Sequence, residues 1–136
     1  MIDPRELRIG NYLYNLSTGV KRICKVIMID REGYLELLED GDKHNSYLDE
    51  DIQPIPLTKD IFAKCNLTLY DNIYPIYEYK SKGFGNSVKF KFFGKYAWEL
   101  IDSNYQVVLE MYTLKFLHQL QNYIFARTGE ELEVRL

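Results

Sequence analysis

The chain is poor in cysteine, histidine and alanine, and each shortage narrows what it can be. Cys24 and Cys65 are its only thiols. They lie far apart with no C-x-x-C spacing, which excludes a disulfide framework or a thiolate zinc site as the organising element. Both are expected as small buried core residues. His44 and His118 are the only imidazoles, so most acid–base schemes lack parts. No apolar run approaches the roughly 18 residues that a membrane-spanning helix needs. The opening Met1-Ile2-Asp3-Pro4-Arg5-Glu6 is charged at once and has neither the apolar stretch nor the cleavage site of a secretion signal, so a cytoplasmic location is expected. Alanine occurs only at positions 63, 97 and 126, against 12 tyrosines and 7 phenylalanines. Rings rather than small helix formers must fill the core, which favours sheet.

What remains is an ordinary globular composition. The 136 residues suit one domain or two small lobes, and 46% hydrophobic with 27% charged residues excludes a disordered chain. The net charge of −3 hides an uneven distribution. Residues 1–57 carry seven basic against eleven acidic side chains, residues 58–104 seven against five, and residues 105–136 three against four.

Residues 1–57 read as a strand-rich, SH3-like lobe. Turn chemistry at Ser17-Thr18-Gly19, Arg31-Glu32-Gly33 and Asp40-Gly41-Asp42 separates short runs rich in β-branched and aromatic residues. In the longest, Val20 to Ile29, Cys24, Val26 and Met28 alternate with Lys25 and with Ile23, Ile27 and Ile29, so both faces are expected to be partly covered. Gln53-Pro54-Ile55-Pro56-Leu57 is a stiff joint. Thr58 then caps a short helix over 59–65. Strands follow at 67–70, 73–80, 88–93, 96–101 and 105–111, joined by short turns, which predicts an antiparallel meander over 58–136. Phe116, Leu117, Leu120, Tyr123 and Ile124 form a helical stripe over 113–128, ended by Gly129, and a short final strand is expected at 132–136. The fold class is α+β: a barrel-like lobe, a short helix, and a meander covered by a C-terminal helix. The alternative to two regions, 1–57 and 58–136, is one continuous domain.

Three segments carry a resemblance. Glu6-Leu7-Arg8-Ile9-Gly10-Asn11-Tyr12, Ile52-Gln53-Pro54-Ile55-Pro56-Leu57-Thr58, and the stretch from His118 through Phe125-Ala126-Arg127-Thr128-Gly129-Glu130-Glu131-Leu132 resemble a group of small uncharacterised proteins of bacteriophages and prophages of gut Bacteroidetes. The resemblance implies an intracellular, phage-linked accessory protein and carries over no catalytic residue. Each segment also has a purely structural reading, as a strand entry, a stiff joint and a packing helix.

The candidate chemistry is sparse. Lys80, Lys82, Lys89, Lys91 and Lys95 interleave with Phe84, Phe90, Phe92, Phe93 and Tyr96, with no acidic residue before Glu99. Lysines beside rings are the working parts of single-strand binding surfaces. Strand alternation instead puts Val88, Phe90 and Phe92 inside and the lysines in water. The Lys82-to-Ser87 loop exposes backbone N–H groups as a phosphate cradle would, but lacks the Walker spacing, so a hairpin tip with Phe84 as a contact residue is expected. Glu39, Asp40, Asp42, Asp49, Glu50 and Asp51 around His44 depart from a calcium loop and read as a solvated turn. His118 is expected at the helix surface or boundary, hydrogen-bonded across the helix. Glu130 and Glu131 are adjacent rather than facing and make no glycosidase pair. Tyrosine is enriched at interfaces, so two roles stand open for the 12 tyrosines: some serve a contact surface outside the core, or they fill a small sheet core with their hydroxyls at its rim.

These readings lead to a non-enzymatic accessory protein that binds another protein and needs no cofactor or metal. The alternative is a single-stranded nucleic-acid binder using Lys80, Lys82, Lys89, Lys91 and Lys95. A small-molecule binder is third.

Overall fold

The computed structural model describes residues 2–71, 76–83, 87–93, 96–99 and 114–136. It shows an α+β protein with two antiparallel sheets and a C-terminal helix. The chain divides into two compact units, Met1–Ile55 with Phe116–Asn122, and Pro56–Lys115 with Tyr123–Leu136.

In the first unit, β1 (Tyr12–Asn15), β2 (Arg22–Ile29), β3 (Tyr34–Glu39), β4 (Asp42–Tyr47) and β5 (Ile52–Pro54) pair in the order β4-β3-β2-β1-β5. The first four strands meander, and β5 returns to β1 with Leu13 opposite Pro54. A short sheet whose fifth strand rejoins the first is the connectivity a small barrel needs; the described pairing leaves β4 and β5 as its edges. Side chains alternate about this sheet. Leu13, Cys24, Val26, Leu35, Leu37 and Ile52 point inward and bury together with Ile2 and Leu7. This core is aliphatic. The β3–β4 link is a two-residue turn in which Asp40 and Gly41 both take positive φ, 49° and 86°, the conformation that selects Asp-Gly in a tight hairpin.

Both faces of β2 are partly covered, as expected, but its alternation breaks after Val26. The ladder pairs Val26 with Leu37 and then Met28 with Glu36, so Ile27 is an extra residue in a β-bulge. The bulge reverses the alternation: Met28 faces outward and is exposed, whereas Ile29 turns back and packs on the core.

In the second unit, Thr58 Oγ1 accepts the Ile61 N–H at 3.2 Å and starts α1 (Lys59–Ala63) as predicted. Then β6 (Thr68–Asp71), β7 (Ile76–Lys80), β8 (Ser87–Phe93) and β9 (Tyr96–Glu99) form the expected meander. Val88, Phe90 and Phe92 are buried. This core is aromatic: the Phe62 ring lies 4.7 Å from Tyr77 and 4.8 Å from Phe92, and Phe90 meets Tyr123 edge-on at 5.9 Å. The strand expected at 105–111 lies outside the described residues.

The helix α2 (Leu117–Thr128) begins later than the periodicity predicts. Backbone pairing explains the delay, since Leu57 N–H donates to Lys115 O and Leu117 N–H to Ile55 O, holding the residues before 117 extended. Gly129 ends the helix at φ 72°, its N–H reaching Phe125 O at 2.8 Å. Beyond it the expected final strand is reduced to one bridge, Cys65 opposite Val134. No helix among the described residues is long and apolar enough to cross a membrane.

Candidate interaction surfaces

The lysine-bearing face of the second sheet comes first. Register places Glu78 opposite Lys89 and Ile76 opposite Lys91, so these four share one face with Lys80. Glu78 lies between two ammonium groups, 3.7 Å from both Lys80 Nζ and Lys89 Nζ. The face is less wet than the alternation suggests, because Ile76 and Glu78 on it are buried. Lys80 is exposed, whereas Lys89 and Lys91 are half-buried. Lys82 belongs to the hairpin shoulder and pairs with Glu133 Oε1 at 3.2 Å. Phe84 and Lys95 lie outside the described residues. Three of the described candidate lysines thus have a carboxylate within 4 Å, and sit in a less open electrostatic setting than a phosphate-tracking groove provides.

At the same shoulder, one carboxylate collects four donors. Glu130 Oε1 accepts from Tyr79 Oη at 3.0 Å and from Lys82 N–H at 2.9 Å. Its Oε2 accepts from Ser81 Oγ and from Gly83 N–H, each at 3.0 Å, and shares the Lys82 N–H at 3.1 Å. Successive backbone N–H groups with flanking hydroxyls form an anion-binding concavity. These hydrogen bonds favour the ionised form and hold the Glu130 pKa below the ordinary carboxylate value, the Lys82 backbone contributing most. Desolvation, reinforced by Glu130, pushes the Tyr79 phenol up to about 12. At the start of the loop expected to be a plain hairpin tip, two backbone N–H groups thus converge on an anion, the chain's own Glu130 carboxylate.

The outer face of the first sheet carries all four of that unit's tyrosines. Register lines up Tyr12, Lys25, Leu38 and Lys43 across β1 to β4, Tyr14 beside Ile23, Met28 beside Glu36 and Asn45, and Tyr34 beside Tyr47. Tyr34 and Tyr47 pack edge-on at 4.9 Å. Lys21 Nζ sits 4.4 Å from the centre of the Tyr14 ring, and Lys25 Nζ 5.7 Å from that of Tyr12. Tyr47 is 63% exposed, with Ile23 and Met28 also open to water. These four rings lie on the side of the sheet opposite its core, whereas Tyr79 in the second unit is a core ring with its hydroxyl at the rim.

The three segments that carry the resemblance contribute to one junction in the first unit. Gln121 is buried, and its amide completes the strand entry like a piece of backbone: Oε1 accepts from Tyr12 N–H at 3.0 Å and Nε2 donates to Gly10 O at 3.0 Å. Asn11 Nδ2 donates to Asn122 Oδ1 at 2.8 Å, and Asn122 Nδ2 to Glu6 O at 2.7 Å. Ile55 accepts from Leu117. His118 departs from expectation. It is 1% exposed, stacked on Phe116, with neither ring nitrogen hydrogen-bonded and Glu6 Oε2 3.7 Å from Nε2. Burial lowers its pKa, partly opposed by Glu6.

The acidic turn is also not uniformly solvated. Glu39 is buried at the end of the inner face, where Asn15 Nδ2 donates to it at 2.7 Å and Arg22 and His44 lie within 4 Å. Among the described residues no cluster of three or more His, Cys, Asp or Glu side chains is placed to hold a metal. Desolvation pushes both thiols up to about 12, which keeps them protonated and poor nucleophiles at neutral pH.

No family model matches the chain, and neither the curated proteins nor the solved structures give a significant match. Sequence reasoning missed Gln121, Asn11, Asn122, Tyr79, Ser81 and Glu130 as partners. The glycine-bearing loop was a visible signal for half of the cradle; the carboxylate that fills it comes from 47 residues further along.

Proposed function

We propose that the chain is a non-enzymatic accessory protein of bacteriophage or prophage type, acting in the host cytoplasm by binding another protein through the outer face of its N-terminal sheet. One observation carries this reading: Tyr12, Tyr14, Tyr34 and Tyr47 lie with Ile23, Met28 and Leu38 on the side of the sheet away from its aliphatic core. Half-exposed tyrosine gives large contact area at low conformational-entropy cost. Lys25 and Lys43 lie in the same cross-strand row as Tyr12 and Leu38 and add polar groups to the face. The phage-type origin rests on the three resembling segments.

The test is affinity capture from infected cells, run with the wild-type chain and with a Tyr14→Ala/Tyr47→Ala variant, and read for both protein and nucleic acid. A partner protein lost in that variant and retained by a Lys80→Ala/Lys89→Ala variant supports the reading. The reverse pattern, with salt-sensitive capture of single-stranded DNA or RNA, would replace it with nucleic-acid binding through the second sheet.

A further inference from the structure

We propose that Tyr79, Ser81 and the backbone N–H groups of Lys82 and Gly83 form an oxyanion-binding site whose resident ligand, Glu130, is a built-in competitor for carboxylate or phosphate groups from outside the chain. Four donors, two of them consecutive backbone N–H groups, converge on one carboxylate at 2.9 to 3.1 Å. That number exceeds what is needed to tie down a surface glutamate. It matches what is needed to replace most of the hydration of an anion, because charge-assisted bonds from fixed donors cost little reorganisation. A Cβ added at Gly83 would meet Glu130 Oε2 at 3.5 Å, so among the described residues it is the ligand that fills the space beside the second amide.

Glu130 is placed to leave without disturbing the fold. Its backbone is fixed on both sides: Gly129 N–H is bonded to Phe125 O, and Glu130 N–H to Thr128 Oγ1 at 3.1 Å. Further along, Leu132 is buried, Val134 bridges Cys65, and Arg135 N–H donates to Lys64 O. Swinging the carboxylate out therefore requires only rotation of side-chain torsions. Tyr79 stays where it is, because it belongs to β7 and its ring is buried, and the other three donors follow directly from the end of that strand. Lys82 Nζ, now paired with Glu133, lies on the same residue as one donating amide and supplies positive charge close by.

A tethered competitor lowers the apparent affinity of a free ligand by the fraction of time the site is filled. Removing the competitor must therefore reveal the site. The amide signals of Lys82 and Gly83 are followed by heteronuclear NMR while acetate, and separately inorganic phosphate, is added to the wild-type chain and to Glu130→Ala. The expected result is saturable movement of both amides, with binding at least tenfold tighter in Glu130→Ala. Tyr79→Phe or Ser81→Ala in that background should weaken it roughly threefold to tenfold, the usual effect of losing one hydrogen bond. Preference for acetate assigns the site to carboxylates, and preference for phosphate to phosphoryl groups. If Glu130→Ala does not fold, the wild-type chain decides alone: saturating anion should move the Glu130 carboxyl signal and return its titration toward the ordinary value. Amides that stay still in every protein tested, or equal affinity with and without Glu130, overturn the proposal.

Discussion

The two sheets place their rings in opposite ways. In the first, the core is aliphatic, built on Leu13, Val26, Leu35, Leu37 and Ile52, and the rings of Tyr12, Tyr14, Tyr34 and Tyr47 lie on the outer side. In the second, Phe62, Phe90 and Phe92 are the core, and the outer side carries lysines around a buried Glu78. Aromatic content alone therefore says little about contact surfaces. What distinguishes the sheets is which parity of the strand the rings occupy.

The contrast can be broken most strongly from inside. Phe90→Ala, which empties a fully buried ring site, should destabilise the chain by about 3–5 kcal/mol in urea denaturation, and Leu37→Ala in the aliphatic core by about 2–5 kcal/mol. A value near zero for either would show that its sheet is not the one holding the unit together. Next comes the junction. Gln121→Ala leaves the Tyr12 N–H and the Gly10 carbonyl without their partner and should cost about 2–4 kcal/mol by the same measurement.

His118→Leu should behave differently, because it removes two buried ring nitrogens that have no hydrogen bond. At neutral pH the change should be under about 1 kcal/mol, neutral or stabilising. Its signature lies in pH dependence. The folded-state pKa of His118 is depressed below 6.5, so on acidification the unfolded chain takes up the proton first. Its stability contribution is full above 6.5 and lost as pH falls from there through the folded value. Denaturation curves across that window should lose this slope in His118→Leu.

Glu130→Gln sharpens the second unit at lower pH. The folded Glu130 carboxyl is depressed, so its contribution is present above the ordinary value of 4.5 and disappears as pH falls through the folded one. The variant should be flatter there and otherwise keep its far-UV spectrum. The smallest effect on stability is expected for Tyr47→Ala, within about 0.5 kcal/mol, since a side chain this exposed contributes little to folding. A larger loss would mean that the outer rings support the sheet itself.

Local pattern made much of this legible. The Thr58 cap, the Asp40-Gly41 turn, the Val88–Phe92 alternation and the Gly129 stop all rest on signals within a few residues, and all are found where those signals lie. What escaped depends on partners distant in sequence. Gln121 and Glu130 look like ordinary polar residues near a helix end until strands from elsewhere bring them Tyr12, Gly10, Lys82 and Gly83. His118 was misplaced for a related reason: nothing in a helical stripe reveals that one polar member is covered from outside the helix. The outer rings were invisible as such because both parities of β2 are apolar, leaving alternation no means to choose a face.

Ile27 also sets how the gene tolerates a shortened strand. Excising that single codon would leave Val26 opposite Leu37 and Met28 opposite Glu36, a clean ladder with every neighbour kept. Losing Lys25 or Val26 instead would push one flank of the strand out of step and turn its aliphatic groups toward water. The chain thus carries one spare link in its longest strand, at the one spot where subtraction restores regularity.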